Sequence, residues 1–188
     1  MPRGYWQWLC SVALLTVCRL SGQSGVNLKL ALNTYAYDNN RAGDYTGYQL
    51  GLDAILDDHT FILMPGVHYQ VTSLEAQNHN WQLNVKTPSI HGLKCNFYLG
   101  ERIIRGEWFK WKVYGGGGAW FPLSTDPNSL GLNEDDLRDV SFSLEGGTGI
   151  EFRFFTLDVL YVHGTDDVFR TIDRSKRRAW TLSAGFFF

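Results

Sequence analysis

Several things are scarce in this chain, and each shortage removes a class of protein. Only three cysteines occur. Cys10 and Cys18 sit in an N-terminal stretch that reads as an export signal, so Cys95 is left alone and no intrachain disulfide is expected after export. Nothing near Cys95 in sequence suggests an activating base, so it reads as a small apolar packing residue and not a nucleophile. Beyond that stretch no segment approaches the length of apolar chain a transmembrane helix needs. Nor does any long stretch hold apolar residues at helical spacing. Basic residues do not cluster either. Losing residues 1–22 would take Arg3 and Arg19 from the 17 basic residues, leaving 15 against 19 acidic. A mildly acidic chain without a basic face argues against nucleic-acid binding. What the chain does have is glycine, 20 residues of it, and 15% aromatics, a composition that points to an all-β protein.

The N-terminus combines Arg3, an apolar run over residues 8–17 (WLCSVALLTV) that is too short to span a bilayer as a helix, and the small pair Ser21 and Gly22 before Gln23. This predicts a signal peptide over residues 1–22 and a single domain over residues 23–188. The valine in Leu15-Thr16-Val17-Cys18 disfavours a lipoprotein signal, which wants small residues there.

At the other end, residues 177–188 (RRAWTLSAGFFF) alternate. Trp180, Leu182, Ala184, Phe186 and Phe188 fall in one register; Ala179, Thr181, Ser183, Gly185 and Phe187 fall in the other. That is the period of a strand with two different environments on its faces. A naked apolar strand at the end of a soluble protein invites aggregation, whereas one that closes a barrel in a bilayer leaves no free edge. Similar alternation occurs over residues 26–38, 45–56, 61–71, 85–99, 111–121, 140–152 and 156–163. Pro65-Gly66 predicts a local bulge in the third of these. The glycine run at 115–118 is followed by neither Gly-Lys-Ser/Thr nor a helix, so it predicts a curved strand, not a phosphate loop.

Eight such strands are long enough to cross a membrane at a tilt, and the fold expected is an eight-stranded antiparallel up-and-down transmembrane β-barrel. Connections on the side of the termini are short and those opposite are longer and polar, matching periplasmic turns and extracellular loops. The connection over residues 100–109 is an exception to this pattern. With Leu50, Leu52, Leu93, Phe97, Phe142, Leu144, Leu182 and Phe186 facing lipid, parity sends Lys29, Asp53, Lys94, Lys112, Glu145, Glu151 and Asp158 into the lumen. A barrel of this size is filled by its own side chains, so these charges are expected to neutralise one another and plug the lumen. Tyr35, Tyr37, Tyr45, Trp108, Phe109, Trp111, Trp120, Phe121, Phe152, Phe154, Phe155 and Trp180 fall near strand ends and are expected to form the two interfacial girdles.

Two constellations suggest chemistry. Asp126, Asn128 and Glu134-Asp135-Asp136 suggest calcium, but Leu130 and Leu137 stand where a helix-loop-helix site needs oxygen ligands, so a solvated acidic loop is the reading. His68, His91 and His163 lie near strand ends, with Ser141, Ser143, Glu145 and Asp166 as polar candidates. Lipid-modifying enzymes use barrels of this size, but no His-x-Ser pair like the deacylase motif is present. No catalytic, cofactor-binding or metal-ligating residue is therefore assigned, and no cofactor is expected.

The closing strand with its terminal Phe resembles the last strand and assembly signal of bacterial outer-membrane barrels. More widely, YTGYQLGLDAILDDHTFILMPGVHYQ, KVYGGGGAWF, GGTGIEFRF and LDVLYVHG resemble the hairpins of the PorT-like outer-membrane β-barrel family, small eight-stranded barrels found widely in Bacteroidetes. The resemblance implies location in the bacterial outer membrane. The partners expected are outer-membrane lipid, the barrel-assembly machinery through the C-terminal strand, and an outer-membrane or secretion-system protein. The expected function is non-enzymatic: a structural, adhesive or secretion-accessory role through the extracellular loops. A narrow small-solute channel, a lipid-modifying barrel enzyme and a soluble lipocalin-like ligand-binding barrel are the alternatives.

Overall fold

The computed structural model describes residues 25–37, 45–57, 61–73, 89–127, 134–170 and 175–188. The proposed signal peptide and Asn128 lie outside these residues, as do the outer parts of several loops. Eight strands follow one another: β1 Gly25–Tyr37, β2 Tyr45–Asp57, β3 Ile62–Ser73, β4 Ser89–Arg105, β5 Phe109–Thr125, β6 Ser141–Phe152, β7 Phe155–Asp167 and β8 Lys176–Phe187. Each pairs antiparallel with the next, and β8 pairs with β1, so the sheet is a closed up-and-down barrel. Closure is sealed at the chain ends, where the Val26 and Phe188 backbones exchange hydrogen bonds of 3.0 and 2.9 Å.

Parity divides the wall as the sequence predicts. Leu50, Leu52, Phe97, Phe142, Leu144, Leu182 and Phe186 are exposed on the outside, while Lys29, Asp53, Lys94, Lys112, Glu145, Glu151 and Asp158 are buried inside. This inverts a water-soluble fold. A continuous apolar outer surface of this kind marks contact with a membrane or a partner.

Four expectations need correction. First, the connection over residues 100–109 is not a long loop. β4 runs on to Arg105 and β5 begins at Phe109, so residues 106–108 suffice for the turn, closed by Gly106 N–H donating to the Phe109 carbonyl at 2.9 Å. A bulge between Arg102 and Ile104 hides the alternation there. Second, Pro65 makes no bulge. The β2–β3 register is the same on both sides of it, and pairing lapses only between Asp53↔Gly66 and Leu56↔Leu63. The ring removes one donor, and the strand continues. The proline that does accompany a register shift is Pro122, beside the irregularity between His91 and Gly92. Third, β7 continues to Asp167, past residue 163 where its alternation predicts an end. Fourth, Trp120 is not in a girdle. It is 2% exposed and faces the lumen, because its parity on β5 is that of Lys112 and Tyr114. Trp108, Phe109, Trp111, Phe152, Phe154, Phe155 and Trp180 are exposed on the outside as expected.

At the turn end, Arg153 takes a left-handed backbone (φ 53°) in the β6–β7 hairpin, and its guanidinium lies 4.1 Å from the centre of the Trp108 ring. That contact offsets part of the cost of the strained backbone.

Candidate functional site

The lumen holds charges that no soluble core of this size would tolerate unpaired. They form two groups. In the first, Lys29 Nζ lies 2.8 Å from Asp53 Oδ2 and 3.0 Å from Asp158 Oδ2. Lys112 Nζ continues the line, 3.2 Å from Asp158 and 3.3 Å from Glu151. Arg102 then bridges Glu151, at 3.0 Å, and Asp57 at the turn end. At the other end of the row, His68 Nε2 meets Asp53 Oδ1 at 2.9 Å, and Asn96 donates to the same oxygen at 3.2 Å. The second group centres on Glu145, which takes Lys94 at 2.7 Å, the Ser143 hydroxyl at 2.7 Å and the Tyr98 hydroxyl. The Lys112 contacts have ion-pair distances without hydrogen-bond alignment, so Coulomb attraction holds them.

Glycines make these charges fit. Asp53 pairs across the sheet with Gly66, His68 with Gly51, Asp158 with Gly149 and Glu145 with Gly116. A Cβ at Gly66 would stand 1.8 Å from Asp53 Oδ1, and one at Gly149 would stand 1.9 Å from Asp158 Oδ1. Asp53 and Asp158 each lie over the bare backbone of the glycine they pair with, and Glu145 lies over Gly118, where a Cβ would stand 2.4 Å from its Oε1; this is how a narrow barrel admits long polar side chains.

Apolar layers close both ends. At the turn end Ile55, Ile62 and Met64 are buried, with Phe187 packed on the same cluster. At the loop end, the β5–β6 and β7–β8 loops form a cap. Leu137, next to the short 3-10 turn Glu134–Asp136, makes an isolated bridge with Phe169. Arg138 N–H donates to the Val168 carbonyl at 3.0 Å, and Arg170 Nε donates to the Leu137 carbonyl at 2.8 Å. Leu137, Val168 and Phe169 are buried in one cluster with Ile90, Trp120, Val162 and Ala179. The Arg177 guanidinium stands 5.5 Å from the Trp120 ring centre. Between the layers lies a cavity of about 20 Å³ among Lys29, Asp53, His68, Lys94, Tyr98 and Tyr114, room for a single water.

The sequence-level candidates for chemistry are scattered. His68 is in the lumen on Asp53. His91, on the outward parity of β4, accepts or donates with Tyr69 Oη at 2.6 Å and lies 3.4 Å from Asp126. His163, on β7, pairs across the sheet with Leu144 and Arg178. Ser141, Ser143 and Glu145 are buried inside, and Asp166 accepts from the Phe142 backbone at 3.3 Å. The acidic run at Glu134–Asp136 is the 3-10 turn that presents Leu137 to the cap, and Asp126 belongs to the His91 contact. Among the described residues, no group of three His, Cys, Asp or Glu side chains is placed to hold a metal ion. Sequence reasoning did not identify Asp57 and Arg102 as lumen residues; alternation of β4 continued past Leu99 was the available signal for Arg102.

No known protein-family model matches the sequence, and no curated protein matches it. Solved structures do resemble the fold. Neisserial surface protein A is similar with a TM-score of 0.60 at 14% identity, over 88% of this chain and 96% of that one. The outer-membrane enzyme PagL is similar with a TM-score of 0.56 at 15% identity, over 85% of this chain and 97% of that one. A closed barrel with apolar wall outside and paired charges inside, superposing on these two along nearly their whole length, has the fold of the small eight-stranded outer-membrane barrels.

Proposed function

We propose that the protein is an exported, integral barrel of the bacterial outer membrane, non-enzymatic, that works as a sealed support for its extracellular loops in a structural, adhesive or secretion-accessory role. The observation that carries this reading is the filled lumen: paired charges along the barrel, with an apolar layer at each end. A solute would have to break the ion pairs and displace the cap of Leu137, Val168 and Phe169, leaving buried charges unpaired at several kcal/mol each. The resemblance of its glycine and aromatic placement to the PorT-like family keeps the secretion-accessory form of this role beside the structural and adhesive ones. The C-terminal strand would carry the contact with the assembly machinery.

Planar-bilayer recording tests the sealed lumen: the purified protein adds no conductance steps, and regular steps would move the assignment to a narrow channel. Recovery in the periplasmic soluble fraction would overturn the membrane location in favour of a lipocalin-like barrel. PagL is an enzyme of the same fold, so the non-enzymatic reading needs its own check. His68→Ala, His91→Ala and His163→Ala leave the lipid A mass spectrum of the host unchanged, and a shift in acyl composition would make the barrel an enzyme. A pull-down from outer membranes with the loops intact names the partner.

A further inference from the structure

The outer wall carries a groove that the sealed-barrel reading does not use. It has a volume of about 620 Å³ and lies over β5 between β4 and β6, with Gly115, Gly117 and Ala119 as its floor and Phe97, Leu99 and Phe142 as its ridges. The floor glycines differ from the inner ones. A Cβ on Gly115 would meet its nearest neighbour at 3.5 Å, and one on Gly146, which pairs with Gly115, at 3.9 Å; neither residue has the backbone that side chains avoid. On the inward parity of the same strand, a Cβ on Gly116 would stand 2.0 Å from the Phe97 carbonyl. Packing within the chain thus demands glycine at Gly116 and leaves room for a side chain at Gly115 and Gly146, while a Cβ on Gly117 would stand 3.3 Å from the Ser143 carbonyl, although glycine weakens a strand.

A second feature lies on the same wall, towards the loops. Tyr69 and His91 are hydrogen bonded and stacked, with ring centres 6.0 Å apart, and His91 reaches Asp126. Ser124 pairs with His91 across the β4–β5 seam. This polar cluster stands on the outward face, continuing the row of Leu93, Cys95 and Phe97. From His91 to Phe97 the strand advances roughly 20 Å at about 3.3 Å per residue. At a tilt of about 40° that is a depth of roughly 15 Å, half of a hydrocarbon core of about 30 Å. Phe97 pairs with Gly117, the midpoint of β5.

We infer that the β4–β5 seam binds one lipid of the outer leaflet, its headgroup hydrogen bonded at Tyr69, His91 and Ser124 and one acyl chain lying in the glycine groove. From the polar cluster to Phe97 the span is that of one leaflet, and the groove runs on past the midpoint to Leu99 and Gly115. The groove is also too narrow for a protein partner: β4 and β6 are about 10 Å apart before their side chains are added, while a helix is roughly 10–12 Å across. This site rests on the membrane reading above.

The experiment reconstitutes the full barrel into mixed vesicles of dioleoyl-phosphatidylcholine and dioleoyl-phosphatidylethanolamine, floats them on a density gradient, extracts in mild detergent and counts retained lipid by native mass spectrometry. The wild-type barrel floats and keeps one lipid. Gly115→Leu, which fills the groove, floats and loses occupancy at least tenfold; Leu182→Ala, away from the seam, keeps the lipid. His91→Ala lowers occupancy severalfold. If Gly115→Leu gives no heat-modifiable folded band, Ala119→Leu, also on the groove floor, takes its place. Flotation with no lipid retained, or equal retention in the groove variant and Leu182→Ala, overturns the site and leaves the barrel assignment standing. Failure of the wild type to float overturns both.

Discussion

The two faces of one wall obey opposite rules. Inside, Lys112 is fully buried between two carboxylates, glycines are required by the charges lying over them, and most polar atoms are paired. Outside, Leu144 is 61% exposed, Gly115 and Gly146 have room for a side chain, and almost nothing polar is present at mid-wall. A residue type that stabilises one face is an error on the other, because the exposed apolar outer face suits an apolar surrounding and the inner one is solvated by its own ions. The comparison also explains why the barrel needs no conventional hydrophobic core. Apolar layers lie at the two ends, and ion pairs share the middle with Tyr98, Tyr114 and Leu160.

Four substitutions would break or sharpen this contrast, taken from the largest expected effect. Lys112→Met leaves Glu151 and Asp158 without their shared cation and should lower unfolding stability by about 3–5 kcal/mol, the range for removing one partner of a buried ion pair. Urea unfolding in lipid vesicles, followed by gel mobility, reads it; a loss under about 1 kcal/mol would mean that water screens the lumen. Leu144→Arg places a charge at mid-wall on the outside and should cost about 2–4 kcal/mol in the same assay. A near-neutral result would show that this face does not meet hydrocarbon. Gly116→Ala should cost about 1–3 kcal/mol by forcing the Phe97 carbonyl aside, while Gly146→Ala on the open side should change stability by less than about 0.5 kcal/mol. Equal costs would remove the inside–outside distinction. The smallest effect belongs to the cap surface. Arg170 and Asp139 pair at 2.6 Å but are 50% and 89% exposed, so Asp139→Ala should cost below about 1 kcal/mol. Raising the salt concentration should shrink that difference and leave the Lys112→Met effect nearly intact.

Much of this was legible in the chain. The parity of Leu50 and Leu52 against Asp53, or of Phe142 and Leu144 against Glu145, assigns faces without a structure, because successive side chains on a strand must alternate. Legibility failed where alternation was interrupted. Gly100, the exposed Glu101 and the bulge beside Ile103 make residues 100–105 look like a loop, so Arg102 and its partner Asp57 were not placed in the lumen. Trp120 was misassigned by composition: an aromatic near a strand end suggests a girdle, but its own parity points inward. The cap was illegible for a different reason. Leu137 and Phe169 lie in two polar loops, and nothing local tells either that the other will cover the same opening. Tyr69 and His91 likewise meet only because β3 and β4 are neighbours in a set register.

By itself the sequence determined the number of strands, their order and the face most side chains take, all of which follow from a two-residue period and the turns between strands. Only the tertiary structure decided which charges meet. Lys29 finds Asp158 because β8 closes on β1 and brings β7 within reach of it. Closure, tilt and register are properties of the whole sheet, and no window of sequence contains them.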